Sequence, residues 1–246
     1  MAQHTVDSEA MERLRAGQKA LLSGRLDAAT EALLDAEARF REQGDAEHAA
    51  ESRAALAEAQ RQNGAVDQAA ASYERALALY REAGVPVREA GATLALGHIE
   101  RQQGKIERAW EHYFLAASLF EKAQNIHGQA SAYLALGHIE RLRGRVTRAG
   151  EYYQRAREAY AQAKDGVGEA DAARGQGDML TAIAQYDKAA LAYDRALTLY
   201  RQGHDRFGEI DTLVSRGRLE TDRAHYDDAA NLFGGVISRA APLEYD

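Results

Sequence analysis

The chain has 246 residues, with 31 Lys and Arg against 38 Asp and Glu for a net charge of −7, and no cysteine. The acidic balance argues against nucleic acid as a partner, and the missing cysteine excludes disulfides, thiolate catalysis and cysteine-held zinc. Hydrophobic residues make up 46% but Ala dominates them, and the only prolines are Pro86 and Pro242, a composition that favours helices because Ala loses no side-chain entropy in one.

The opening MAQHTVDSEAMERLRAG has no apolar core, so it does not read as a signal peptide. No stretch approaches 18 consecutive apolar residues, so no membrane insertion is expected. The expectation is a soluble, cytoplasmic protein.

From residue 8 onward one unit of 40 residues recurs without insertion or deletion, over approximately 8–44, 45–84, 85–124, 125–164, 165–204 and 205–240. The first unit sets the pattern with Gly17, Gly24, Leu26, Ala29, Leu33 and Ala36. The second answers with Ala57, Gly64, Val66, Ala69, Tyr73 and Ala76, and the third with Gly97, Gly104, Ile106, Ala109, Tyr113 and Ala116. The fourth has Gly137, Gly144, Val146, Ala149, Tyr153 and Ala156; the fifth Gly177, Ala184, Tyr186, Ala189, Tyr193 and Ala196; the sixth Gly217, Ala224, Tyr226, Ala229, Phe233 and Val236.

Within each unit the second half carries an apolar stripe of helical period, as Ile106, Ala109, Tyr113, Ala116 and Phe120 show. Its small residues let a neighbouring helix approach closely. A small residue such as Gly104 supplies the turn before that helix. Asp45, Asn125, Asp165 and Asp205 suit N-caps for the helix that opens the next unit, with Val85 the exception. Each unit therefore reads as helix A, turn, helix B and linker. A helix pair cannot bury its apolar face alone, so units must stack. The expected fold is all-α: one right-handed α-solenoid of six helix-turn-helix repeats spanning 1–246, with helices A on the concave side.

This pattern resembles the tetratricopeptide repeat family over essentially the whole chain. The family's usual repeat has 34 residues. The longer form here, with the linkers NIHGQA, DGVGEA and DRFGEI beginning at Asn125, Asp165 and Asp205, is similar to the repeats of Pins-type polarity adaptors and Rap-type pheromone receptors. The resemblance implies a scaffold that takes a peptide or protein segment along its groove. Pins-type repeats read LGN, and that Asn holds the peptide backbone in many family members. Here the position is Gln18, Glu58, His98, His138, Asp178 and Arg218, so an Asn row is missing.

Nothing in the chain carries enzyme chemistry. There is no HExxH, no G-x-S-x-G and no phosphate-loop motif, and GQG at 175–177 falls inside a helix A. No cofactor and no metal site are expected. The tyrosines fall on the internal stripe, which packing explains better than base stacking. Trp110 stands where other units have Thr30, Ala70, Gly150, Ala190 and Ala230; it reads equally as a wedge between units or as an exposed contact.

One stretch asks for more. The octapeptide LALGHIER occurs at 94–101 and again at 134–141. Leu96, Gly97 and Ile99 belong to the repeat pattern, whereas Leu94, His98 and Arg101 form a second helical stripe. The family resemblance places that stripe on the groove. Candidate partner-binding residues are therefore Arg61, Leu94, His98, Arg101, Leu134, His138, Arg141 and Arg174. An acidic segment would pair its carboxylates with the arginines, less whatever Glu100 and Glu140 neutralise, and protonated His98 and His138 would tighten binding towards pH 6. The alternative is a solvated face copied by duplication. At the far end, helix B of the sixth unit is followed only by APLEYD. Leu232, Phe233, Val236 and Ile237 are then left partly open, and this end is expected to dock onto a second copy of the chain, giving a homo-oligomer, or onto a partner, or else to fray.

Overall fold

The structure, a computed structural model, describes residues 8–240; residues 1–7, Pro242 and the closing APLEYD lie outside them. Twelve helices and no strand occur among the described residues. They fall into two compact units, Met1–Gln124 and Asn125–Asp246. The first holds α1 (Ser8–Leu22), α2 (Leu26–Glu42), α3 (Ala46–Gln62), α4 (Val66–Ala83), α5 (Pro86–Gln102) and α6 (Ile106–Lys122). The second holds α7 (Ile126–Leu142), α8 (Val146–Gln162), α9 (Gly166–Ala182), α10 (Tyr186–Gln202), α11 (Arg206–Asp222) and α12 (Tyr226–Ala240). Each pair is one repeat, and within each unit successive helices pack on one another. No described helix is long and apolar enough to cross a membrane.

The helices start where the sequence places their caps. The side chains of Asp45, Asn125, Asp165 and Asp205 accept from the backbone N–H of His48, Gly128, Gly168 and Gly208 at 2.8–3.0 Å. Val85 has no such bond, and Pro86, which has no N–H to satisfy, takes the first helical position instead. The helices end in a repeated C-terminal turn. At the close of α5, Gly104 N–H donates to the Arg101 carbonyl at 3.0 Å and Lys105 N–H to the Glu100 carbonyl at 2.8 Å, the paired bonds of a Schellman motif. That motif needs a left-handed residue. Gly104 supplies it at φ 73°, but Ala184 and Ala224 adopt it too, at φ 57° and 62°. A Cβ in this region costs roughly 1–2 kcal/mol, so the repeat geometry overrides local preference at the last two turns.

Between the helices of a repeat lies a contact of glycine with aromatic. A Cβ on Gly97, Gly137 or Gly177 would come within 2.6–2.8 Å of the ring of Tyr113, Tyr153 or Tyr193. The absent side chain lets each tyrosine lie flat across helix A, and these three rings are at most 1% exposed. The repeat with Ala57 at this place leaves its Tyr73 7% exposed. Ala29, Ala69, Ala109, Ala149 and Ala189, all fully buried, carry the close approach along helix B.

The last helix departs from this burial. Leu232, Phe233 and Val236 are only half-buried, and Ile237 is 71% exposed, where Leu77 and Leu197 at the same register position are 6% exposed. On α6, Trp110 is half-buried and stacks on the exposed Phe114, with centroids 5.2 Å apart.

Candidate functional site

In the first unit, α3, α4 and α5 each contribute residues to one site, with Tyr73 coming from α4. They enclose a cavity of about 440 Å³ lined by Glu58, Arg61, Tyr73, Ala95, His98, Arg101 and Gln102. Three of the candidates, Arg61, His98 and Arg101, thus share one wall. Leu94 is half-buried and Ala95 takes its place at the cavity.

The two guanidiniums there are in different electrostatic states. Arg61 grips Glu58 with two bonds, Nε to Oε2 at 2.8 Å and Nη2 to Oε1 at 2.6 Å. Gln62 adds a third donor to Glu58 at 2.9 Å. The Arg61 hydrogen bond holds the Glu58 carboxyl below its ordinary value, so this pair is internally neutralised. Arg101 has no carboxylate partner among the described residues; its guanidinium reaches the hydroxyl of Tyr113 on α6. The same hydroxyl lies 2.9 Å from His98 Nδ1.

These contacts correct the expected role of His98. The ring touches water along the cavity, but crowding by its neighbours and then the charges of Arg101 and Arg61 push its pKa down to about 4. It is neutral at pH 6 and adds no charge to the site there. Glu100 and Glu140 are also misplaced by sequence adjacency. Glu100 is 6% exposed and binds His112 Nδ1 at 2.6 Å, while Glu140 is fully buried and pairs with Arg143 at 2.9 Å. Neither faces the arginine row. Successive residues on a helix are rotated by about 100°, which turns Glu100 away from Arg101.

The second unit repeats the arrangement. Tyr153 hydroxyl lies 3.0 Å from His138 Nδ1 and is also reached by Arg141. Arg141 again has no carboxylate partner among the described residues, and its Nε–H is shielded from water without an acceptor. Arg174 is tied differently: it pairs with Asp171 at 3.4 Å and donates to the Tyr200 hydroxyl at 3.4 Å. Leu134 is half-buried and packs against the apolar core of its own unit.

Sequence reasoning assigned the tyrosines to packing alone and missed their polar ends. The signal was present: in both copies a Tyr follows the His by 15 residues. In the second and fifth repeats an acid stands beside the hydroxyl instead: Glu58 lies near Tyr73, and Asp178 accepts from Tyr193 at 2.8 Å.

A cluster of possible metal ligands, Glu220, His225 and Asp228, also forms across the last turn, with donor atoms within 4.8 Å of one another. Arg216 and Arg223 both pair with Glu220. Its charge is therefore already matched, and the cluster reads as an ion-pair network.

Comparison with known proteins agrees with this architecture. Residues 128–202 match the model of the tetratricopeptide repeat, and residues 2–118 that of the soluble NSF attachment protein, SNAP. No curated protein matches the chain. Among solved structures, BtubC (BKLC) from P. vanneervenii is 18% identical with a TM-score of 0.74, over 98% of this chain and 94% of that one. PilF of Pseudomonas aeruginosa is 22% identical with a TM-score of 0.69, over 97% and 96%. A Rap protein complexed with competence and sporulation factor is 16% identical with a TM-score of 0.68, over 96% and 76%. With six helix pairs in a strict register and the repeat model matched over residues 128–202, the chain has the fold of tetratricopeptide repeat proteins and is similar to that family.

Proposed function

We propose that this chain is a non-enzymatic scaffold that binds an acidic segment of another protein on the helix-A face of its repeats. The observation that carries the reading is the contrast among its arginines. Arg61 and Arg174 are paired with Glu58 and Asp171, whereas Arg101 and Arg141 have no carboxylate partner among the described residues. A guanidinium has five N–H donors in a fork that fits a carboxylate, and a partner segment supplies what the chain withholds. The test is selection of random peptides on the immobilised chain. Acidic sequences should be enriched, and the enrichment should vanish with Arg101→Ala and Arg141→Ala combined. Enrichment of neutral or basic peptides would contradict the reading.

A second reading is a receptor for a signalling ligand that regulates a partner; the complex of a Rap protein with competence and sporulation factor supports it. The two differ in outcome, since a receptor changes the behaviour of an output partner when a free peptide is added and a scaffold does not.

The half-open stripe of Leu232, Phe233, Val236 and Ile237 is proposed to seat a second copy of the chain. Sedimentation should show an oligomer that Ile237→Glu disperses, because that side chain is 71% exposed and its exchange leaves the fold intact. A monomeric wild type would contradict this.

A further inference from the structure

We infer that Tyr113 is a positioning residue of the first unit's site: its hydroxyl fixes His98 and Arg101 as two neighbouring donors for one carboxylate of the bound segment. The inference rests on the acidic-segment reading and goes beyond it, because it assigns the role of a residue that does not line the cavity.

Arg101, the other polar group near the hydroxyl, is a guanidinium with no lone pair, so it cannot accept the Tyr113 proton. The hydroxyl proton is then directed to its other neighbour, His98 Nδ1, 2.9 Å away. A neutral imidazole that accepts at Nδ1 must carry its hydrogen on Nε2; the tautomer is thus assigned from the network of bonds. No acceptor among the described residues takes that Nε2–H, and His98 lines the cavity beside Arg101. Burial raises the Tyr113 pKa to about 12, so the hydroxyl keeps its proton throughout the working range.

Gly97 makes the arrangement sterically feasible. Tyr113 lies across it, with ring carbons 2.7 Å from where a Cβ would stand. The motif therefore links three residues of the octapeptide to one tyrosine. His98 accepts a hydrogen bond from the hydroxyl, Arg101 lies near that hydroxyl, and Gly97 leaves room for the ring. In the second and fifth repeats an acid replaces the histidine. There the tyrosine hydroxyl is directed towards a carboxylate, which offers no donor to an incoming acid.

The experiment uses the labelled full chain. Long-range nitrogen–proton spectra at pH 7 should show His98 as the Nε2–H tautomer, and Tyr113→Phe should abolish that preference. Binding is read with a blocked hexapeptide of alternating Glu and Leu, the fold of each variant being checked by circular dichroism. Tyr113→Phe and His98→Leu should each weaken it roughly three- to tenfold, the effect of one hydrogen bond. His98→Gln, which keeps a neutral donor, should stay within about twofold of wild type by the same reckoning. An Nδ1–H tautomer in the wild type, or unchanged affinity in Tyr113→Phe, would overturn the inference while leaving the acidic-segment reading in place. Failure of the wild-type chain to bind the hexapeptide would overturn both.

Discussion

Arg53→Thr is expected to cost about 3–5 kcal/mol of stability, the range found when one partner of a buried ion pair is removed. Arg53 on α3 and Glu37 on α2 approach to 2.8 Å with side chains 11% and 6% exposed. The Arg53 Nε–H is not aligned on an acceptor, so charge rather than a directed hydrogen bond holds the contact. Without Arg53, the Glu37 carboxylate is left in the apolar seam between the first two repeats. One repeat later the same positions are Leu77 and Thr93, both buried, with Thr93 donating to the Glu89 carbonyl of its own helix. The double variant Glu37→Leu, Arg53→Thr should therefore recover most of the loss, since it leaves no unpaired buried charge and the next repeat already packs Leu and Thr at these positions. Urea unfolding followed by circular dichroism checks both. A loss below about 1 kcal/mol in the single variant would place the pair with surface ion pairs.

The same pair marks where sequence reading stops. Glu37 and Arg53 sit on different helices, and no period along the chain connects them. The elements themselves were legible, because packing helix pairs on one another within a unit imposes the 40-residue register on Ala29, Ala69 and Ala109 alike. The caps at Asp45 and Asp165 were legible for a local reason, as the side chain bonds a backbone N–H three residues on. The site was legible only in part. A single helix brings His98 and Arg101 to one face, so both could be named. Their shared partner Tyr113 lies on the next helix, beyond the reach of a helical wheel. Glu100 stands next to Arg101 in sequence but is buried against His112. The state of His98 depends on Arg61 from another repeat, and composition cannot reveal it.

That state has a consequence for pH. The folded-state pKa of His98 lies near 4, below the ordinary 6.5 of the unfolded chain. The unfolded chain takes up the proton first, so this group's contribution to stability is present above pH 6.5 and is lost as pH falls towards 4. Recognition through Arg101 and a neutral His98 should accordingly be unchanged between pH 8 and pH 6.

The account turns on whether Arg101 and Arg141 hold the partner. Calorimetric titration of a selected acidic peptide into wild type, Arg101→Ala, Arg141→Ala and the double variant, at low and high salt, tests this most directly. A charge-assisted contact is worth about 1.5–3 kcal/mol, so each single variant should bind roughly ten- to a hundredfold more weakly, and the salt dependence should be smaller in the double variant. Equal affinity in all four proteins, with their helical content intact, would contradict it and leave the two octapeptides as supports for Tyr113 and Tyr153 alone.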